Sequence, residues 1–364
     1  MIEMTKHTKR TLAIDARMIE ASGIGIVIKN ILPALLDDFS VTLIGNKKTL
    51  NRFKEKYNIS ILHTNAKMYS LKILFQYPFF PRVDILWIPH FNGPIVSNAK
   101  KRVVTIHDMF HLDYIETLSI KQKIFARVFY YMSIRLSNHI VTDSHFTYTR
   151  IKHFFKVKTT KISIVHLGAR TLLKPKKTSK RSEVFFLYVG NLKPHKNIKQ
   201  VIYAYSSLSD SVKKNLKLKI VGKSTGFLNP EDNLKQLTIK LKIDKNVHFY
   251  EDLSDTELSK FFHNAEFLVL PSLYEGFGLP ILESFSVNTP VLCSDIDVFN
   301  EVSGNAAMLF NPFSTEDLAK KITKLHQSPL IKKRLVSKGK KRLTLFSWEK
   351  CQNEYIEIFK SLME

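Results

Sequence analysis

The chain of 364 residues is 44% hydrophobic and 11% aromatic, enough for two domains of about 170 residues and too apolar for a disordered or low-complexity protein. Its two cysteines, Cys293 and Cys351, lack metal-ligand spacing, which argues against a disulfide framework or a structural zinc and fits a reducing compartment. The formal charge of +24 is lopsided: residues 1–180 hold 30 Lys and Arg against 11 Asp and Glu, a net +19, leaving +5 for the rest.

Short β-rich runs alternate with helix-length segments from end to end, the pattern of an α/β protein with parallel sheets. Strands are expected in the first half at 11–14, 41–44, 85–88, 102–106, 139–142 and 162–165, with helices at 24–36, 50–57, 120–136 and 146–154. Residues 168–182 are Lys-rich, contain Pro175 and lack apolar periodicity, so they read as a linker. The alternation then restarts, with strands at 184–189, 216–221, 247–250, 266–270, 290–293 and 307–310. Helices fit 198–208, 232–241, 255–263, 279–287, 315–327 and 330–343, and the amphipathic 348–362 closes the chain. The expected domains are therefore 1–167 and 183–345, joined by 168–182, with 346–364 as a terminal helical segment.

Residues 1–10 lack the apolar core of a signal peptide. The most apolar long stretch, 71–91, is broken by Lys72, Arg82 and Asp84 and by Pro78, Pro81 and Pro89, which argues against a spanning helix. A cytoplasmic or peripheral protein is expected. The basic excess suits nucleic acid or an anionic membrane, and no RNP-like, zinc-finger or homeodomain pattern favours nucleic acid. Two basic-aromatic stretches, 67–77 and 121–136, have the composition of interfacial segments, although the second also fits core packing.

The most specific signal is Pro271-Ser-Leu-Tyr-Glu-Gly-Phe-Gly-Leu-Pro-Ile-Leu-Glu283, which follows a buried strand and opens a helix near Gly278. Gly276 and Gly278 allow a ligand close to the backbone, Pro280 suits the first helical turn, and the free N–H groups there favour an anion. Glu275 and Glu283 flank that anion site as hydrogen-bond acceptors suited to vicinal hydroxyls. A second glycine loop, Ala21-Ser-Gly-Ile-Gly25, follows the first strand; Gly23 and Gly25 permit tight turning, and Ile28 removes the dinucleotide G-x-G-x-x-G spacing. His107 and Asp108 end an apolar strand, where polar residues of an open sheet reach a ligand. His111 and Asp113 lie nearby without a metal-binding frame.

The Glu-x7-Glu segment resembles the signature of family 4 glycosyltransferases, retaining enzymes of the GT-B fold. The likeness extends over nearly the whole chain through Ile14-Asp-Ala-Arg17, Ser22-Gly-Ile-Gly25, Val104-Thr-Ile-His-Asp108 and Tyr188-Val-Gly-Asn-Leu-Lys-Pro-His-Lys-Asn197. The last is similar to the variant of bacterial surface-polysaccharide mannosyltransferases. The resemblance implies two Rossmann-like domains facing across a cleft, with the last helix crossing back onto the first. It implies catalytic roles for His107, Lys196 and Glu275, with His107 facing the transferred sugar and Lys196 the diphosphate. Donor contacts are implied at Gly23, Gly25, Gly190, Asn191, Lys193, His195, Gly222, Phe249, Gly276, Phe277, Gly278, Leu279 and Glu283. Asn191 stands where family members carry Arg, which leaves the second phosphate contact open between Lys193 and His195.

The function so implied is transfer of a hexose, mannose favoured, from a GDP- or UDP-hexose to a lipid-linked oligosaccharide of bacterial surface polysaccharide, O-antigen or capsule. It requires no cofactor and no metal, and it takes place at the inner face of the cytoplasmic membrane. Three alternatives stand beside it: a sugar-nucleotide epimerase of the same fold, an inactive glycosyltransferase-like subunit, and a basic nucleic-acid-binding protein.

Overall fold

The computed structural model describes residues 9–66, 68, 80–94, 96–173, 183–223 and 230–364. The basic-aromatic stretch 67–77, Met68 apart, and the second part of the expected linker, 174–182, lie outside the described residues. The chain divides into two units, Met1–Leu167 with Trp348–Glu364, and Gly168–Ser347.

Among the described residues of the first unit, seven strands form one parallel sheet: β1 (Arg10–Asp15), β2 (Phe39–Gly45), β3 (Ser60–His63), β4 (Val83–Ile88), β5 (Ala99–Thr105), β6 (His139–Thr142) and β7 (Ile162–Ile164). Their order is β3-β2-β1-β4-β5-β6-β7, so the winding reverses between β1 and β4. Buried runs such as Leu12–Ile14 and Ile85–Ile88 show why these segments become strands covered on both faces. The terminal helix Trp348–Ser361 packs on this unit. Tyr355 lies 5.1 Å from the Trp87 ring, Phe359 meets Phe39 edge-on at 6.1 Å, and Gln352 Nε2 donates to Asn30 O at 2.7 Å. Trp87 Nε1 donates to the Thr105 hydroxyl at 2.9 Å, and that hydroxyl shares a hydrogen bond with Tyr355 OH, so the core's largest rings keep their polar atoms satisfied.

The second unit repeats the architecture, with six parallel strands among its described residues: β8 (Phe185–Val189), β9 (Lys217–Val221), β10 (Val247–Tyr250), β11 (Leu268–Leu270), β12 (Val291–Ser294) and β13 (Met308–Phe310). The order β10-β9-β8-β11-β12-β13 puts its reversal between β8 and β11. A capping box closes the start of helix Asp255–Asn264, where Ser254 and Glu257 satisfy each other's backbone N–H groups. Residues 168–173, read from composition as linker, group with this unit, and Ser259 Oγ donates to Leu173 O.

β3 and the helix Asp297–Ser303 were not among the expected elements. Both cysteines are buried and free, and burial pushes both thiols up. Among the described residues, no helix is long and apolar enough to cross a membrane.

Candidate functional site

In an open parallel sheet, loops leaving the strands on either side of the reversal splay apart and leave a crevice beyond the strand ends. In the second unit those are the loops after β8 and β11, and they carry the two strongest motifs. Gly190 follows β8 and its N–H donates to Val221 O at 3.0 Å. Gly222, after β9, lies against it so closely that a Cβ there would sit 1.8 Å from Gly190 O. The chain continues through Asn191, whose carbonyl accepts from the buried Tyr188 hydroxyl at 2.8 Å, into a 3-10 turn over Pro194–Lys196. Lys193 is exposed; His195 is half-buried, and its carbonyl accepts from Leu273 N at 2.8 Å, which stitches the β8 loop to the β11 loop.

That stitch brings two predicted site residues, 79 positions apart in sequence, into direct contact. Lys196 Nζ donates to Glu275 Oε1 at 2.6 Å, and Ser272 Oγ donates to the same oxygen at 2.8 Å. The Lys196 and Glu275 side chains are only 16% and 19% exposed, so their attraction is poorly screened. Burial, with Glu275 nearby, pushes the Tyr188 phenol up and keeps it neutral beneath them.

Gly278 caps the helix Leu279–Ser286 at φ 110°, a conformation that a side chain opposes, and Pro280 lies in the first turn. Gly276 and Leu279 flank the cap and are half-buried. Phe277, expected at the donor, is 5% exposed and meets Phe346 edge-on at 5.9 Å, so its ring anchors the loop from beneath. Phe249 lies in β10 with its ring below the Lys235 ammonium at 5.8 Å; it packs against the core. Glu283 is 3% exposed, and Arg170 Nε donates to its Oε1 at 3.0 Å.

The first unit has its own polar cluster around its reversal. At the end of β1, Asp15 takes a two-pronged pair from Arg17, Nε to Oδ1 at 2.8 Å and Nη2 to Oδ2 at 2.7 Å; Nη2 also donates to Asn92 O beyond β4. Gly25 lets the helix Ser22–Leu35 close on the preceding turn, since a Cβ there would lie 2.3 Å from Ile19 O; a Cβ at Gly23 would meet nothing within 4 Å. His107, after β5, faces two acceptors, Asp143 Oδ2 at 2.5 Å from Nδ1 and Pro89 O at 3.1 Å from Nε2. Two acceptors require two ring protons. Burial pulls the His107 pKa down, and the Asp143 carboxylate overrides it, leaving the ring raised above its ordinary value. Its neighbour His90 is pushed the other way, by burial and then by the His107 charge, and accepts from Asn92 N at 3.0 Å as a neutral ring does. Asp143 thus holds His107 toward its charged form. Asp113 pairs with Arg150, and His111 packs beside Phe91.

Asp143 and Arg170 had not been singled out. Asp143 had a readable signal, a polar run Thr142-Asp-Ser-His145 ending the buried strand β6.

Two parallel-sheet α/β units, each with polar loops gathered at its sheet reversal, have the architecture of the GT-B fold. The sequence signature of the family "Glycosyl transferases group 1" matches residues 169–342. The chain is 31% identical over 260 residues to the O-antigen chain mannosyltransferase RfbU of Salmonella typhimurium, covering 71% of this chain and 69% of that protein. It is 30% identical over 179 residues to O-antigen chain mannosyltransferase B of Escherichia coli, and there spans only 46% of the relative's length. The solved sucrose-phosphate synthase of Thermosynechococcus elongatus superposes with a TM-score of 0.79 at 16% identity, covering 97% of this chain and 99% of that one. The chain belongs to the group 1 glycosyl transferases. Membership implies a nucleotide sugar as donor and a glycan as acceptor.

Proposed function

We propose that the protein is a retaining, metal-independent hexosyltransferase that moves mannose from a nucleotide diphosphate sugar to a lipid-linked glycan in bacterial O-antigen or capsule synthesis. The second unit binds the donor and the first the acceptor. The observation that carries this reading is the Lys196–Glu275–Ser272 cluster beside the Gly278 helix start. Mannose is favoured because the two relatives above are O-antigen mannosyltransferases.

The diphosphate lies at the helix start and against Lys196, where N–H dipoles and a buried ammonium meet the charge that grows as the glycosidic bond breaks. Glu275 accepts from hydroxyls of the transferred sugar and Glu283 from those of the ribose. The acceptor hydroxyl attacks on the face from which the diphosphate leaves, and the leaving oxygen takes its proton. No protein nucleophile is called for, and positioning with charge stabilisation supplies the rate. Lys196 and the helix dipole hold the positive charge that a metal would otherwise supply.

The helix Ile120–Leu136 supports peripheral attachment to an anionic membrane at its inner face. Ala126, Phe129, Tyr130 and Ile134 are buried, while Ile120, Ile124, Val128 and Tyr131 are exposed beside Lys121, Arg127 and Arg135. Apolar side chains interleaved with cations on an outer face suit anionic headgroups over nucleic acid.

The test is a donor screen with purified protein and lipid-linked acceptor. Acceptor-dependent GDP release from GDP-mannose, insensitive to EDTA, is expected. Turnover of donor without acceptor would instead indicate an epimerase or hydrolase, and donor binding without any turnover an inactive subunit.

A further inference from the structure

Glu283 sits one turn inside its helix, and its side chain is 4% exposed, so this acid is not a solvated helix residue. A carboxylate buried this deeply needs a partner to remain charged. The partner comes from Arg170, 113 positions earlier: Nε donates to Glu283 Oε1 at 3.0 Å, while Nη1 donates to Asp255 Oδ1 at 2.8 Å. The two acids differ sharply. Asp255 is 87% exposed and its attraction to Arg170 is screened, whereas Glu283 receives the guanidinium in a low-dielectric site. A planar fork presents separate nitrogens to the two acids in fixed directions, which the single freely rotating ammonium of a lysine does not. Among the described residues Arg170 engages only Oε1, and Oε2 is left to accept from a ligand.

We infer that Arg170 is a positioning residue for the donor nucleotide: braced by Asp255, its guanidinium fixes the Glu283 carboxylate in the orientation that accepts from the vicinal hydroxyls of the ribose. This rests on the assignment of Glu283 to the ribose. Arg170 acts on Glu283 chemically as well as geometrically. Burial raises the pKa of Glu283, Arg170 opposes that rise, and the Asp255 charge adds to it. Removal of Arg170 therefore pushes Glu283 further toward its protonated form, which donates where the diol needs an acceptor.

The test is titration of the full-length protein with GDP, and in parallel with UDP, which has the same ribose, by calorimetry between about pH 5 and 9. Wild-type affinity should fall as pH drops through the Glu283 titration. Arg170→Gln should weaken binding about tenfold at neutral pH and move that fall to higher pH, so that alkaline buffer restores part of the loss. Arg170→Lys should keep the fall near its wild-type position while restoring affinity only partly. Glu283→Gln should weaken binding at all pH values and abolish the fall. An Arg170→Gln protein with wild-type affinity, or one weakened equally at every pH, overturns the positioning role. Wild-type affinity in Glu283→Gln overturns the ribose assignment itself, whatever Arg170 does.

Discussion

Lys196→Ala probes the contact on which the proposed chemistry turns. At the observed 2.6 Å, the Coulomb attraction between Lys196 and Glu275 is about 6 kcal/mol at an effective dielectric of 20. Desolvation of two mostly buried groups offsets most of this, leaving about 1.5–3 kcal/mol for a hydrogen bond to a charged group. With donor bound, the same ammonium faces a leaving group whose negative charge increases, where one preorganised donor is worth about 3–4 kcal/mol. Lys196→Ala should therefore lower kcat about 100- to 1000-fold with a much smaller change in donor KM. Lys196→Arg should rescue poorly, because a planar fork does not replace a compact ammonium packed between Glu275 and the loop. The assay is steady-state nucleoside diphosphate release, with thermal melting to confirm that each variant folds. Because the pair acts as a unit, Glu275→Ala should also lose more in kcat than in nucleotide affinity. The double variant should be little worse than the poorer single one. A Lys196→Ala enzyme with near-wild-type kcat, or full additivity with Glu275→Ala, would refute this reasoning and turn attention to Lys193 or His195.

His107 carries a pKa raised by Asp143, so its charged form stabilises the fold. That stabilisation is fully present below the unfolded value of about 6.5 and is lost as pH rises through the folded value. Urea midpoints of the wild type and His107→Gln should differ most in acid and converge above neutrality; a constant gap would contradict the ion pair. Gly222→Ala places a methyl at 1.8 Å from a carbonyl oxygen and should destabilise the second unit by about 3 kcal/mol or more, read by denaturant unfolding; a loss within about 0.5 kcal/mol would mean that the β8 and β9 loops do not abut. Lys121→Gln, Arg127→Gln and Arg135→Gln together should weaken sedimentation with anionic vesicles, at about 1 kcal/mol per charge, more than the same change at Lys333, Lys340 and Lys341. Lys123 is left out of the set because it is paired with Glu116 at 2.8 Å. Equal losses from the two triples would reduce the binding to nonspecific adhesion.

Most elements were legible because fully buried parallel strands read as continuous apolar runs, as at β8 and β11. β3 escaped because its four residues, Ser60–His63, lie at the sheet edge with no buried side chain and a polar residue at either end. At the site, local chemistry was readable where the backbone dictates it: the left-handed Gly278 cap and Pro280 fix the helix start whatever surrounds them. Partnerships were not. Nothing local in the sequence pairs Lys196 with Glu275, His107 with Asp143, or Arg170 with Glu283, since the first two contacts join loops that a sheet aligns and the third joins the connecting stretch to a helix. Arg170 was doubly hidden, sitting in a Lys-rich stretch whose lack of periodicity suggested a connector. At Phe277 the ring is buried against Phe346, a contact the motif itself does not announce.

The central claim is sugar transfer with retained configuration, by positioned charges and without a protein nucleophile. Proton NMR of the product formed from GDP-α-mannose and a lipid-linked acceptor tests it most directly. An α-linked mannosyl product, formed equally well in EDTA and absent with Lys196→Ala, is the predicted result. A β-linked product, or a chemically altered donor with no glycan formed, would contradict the account.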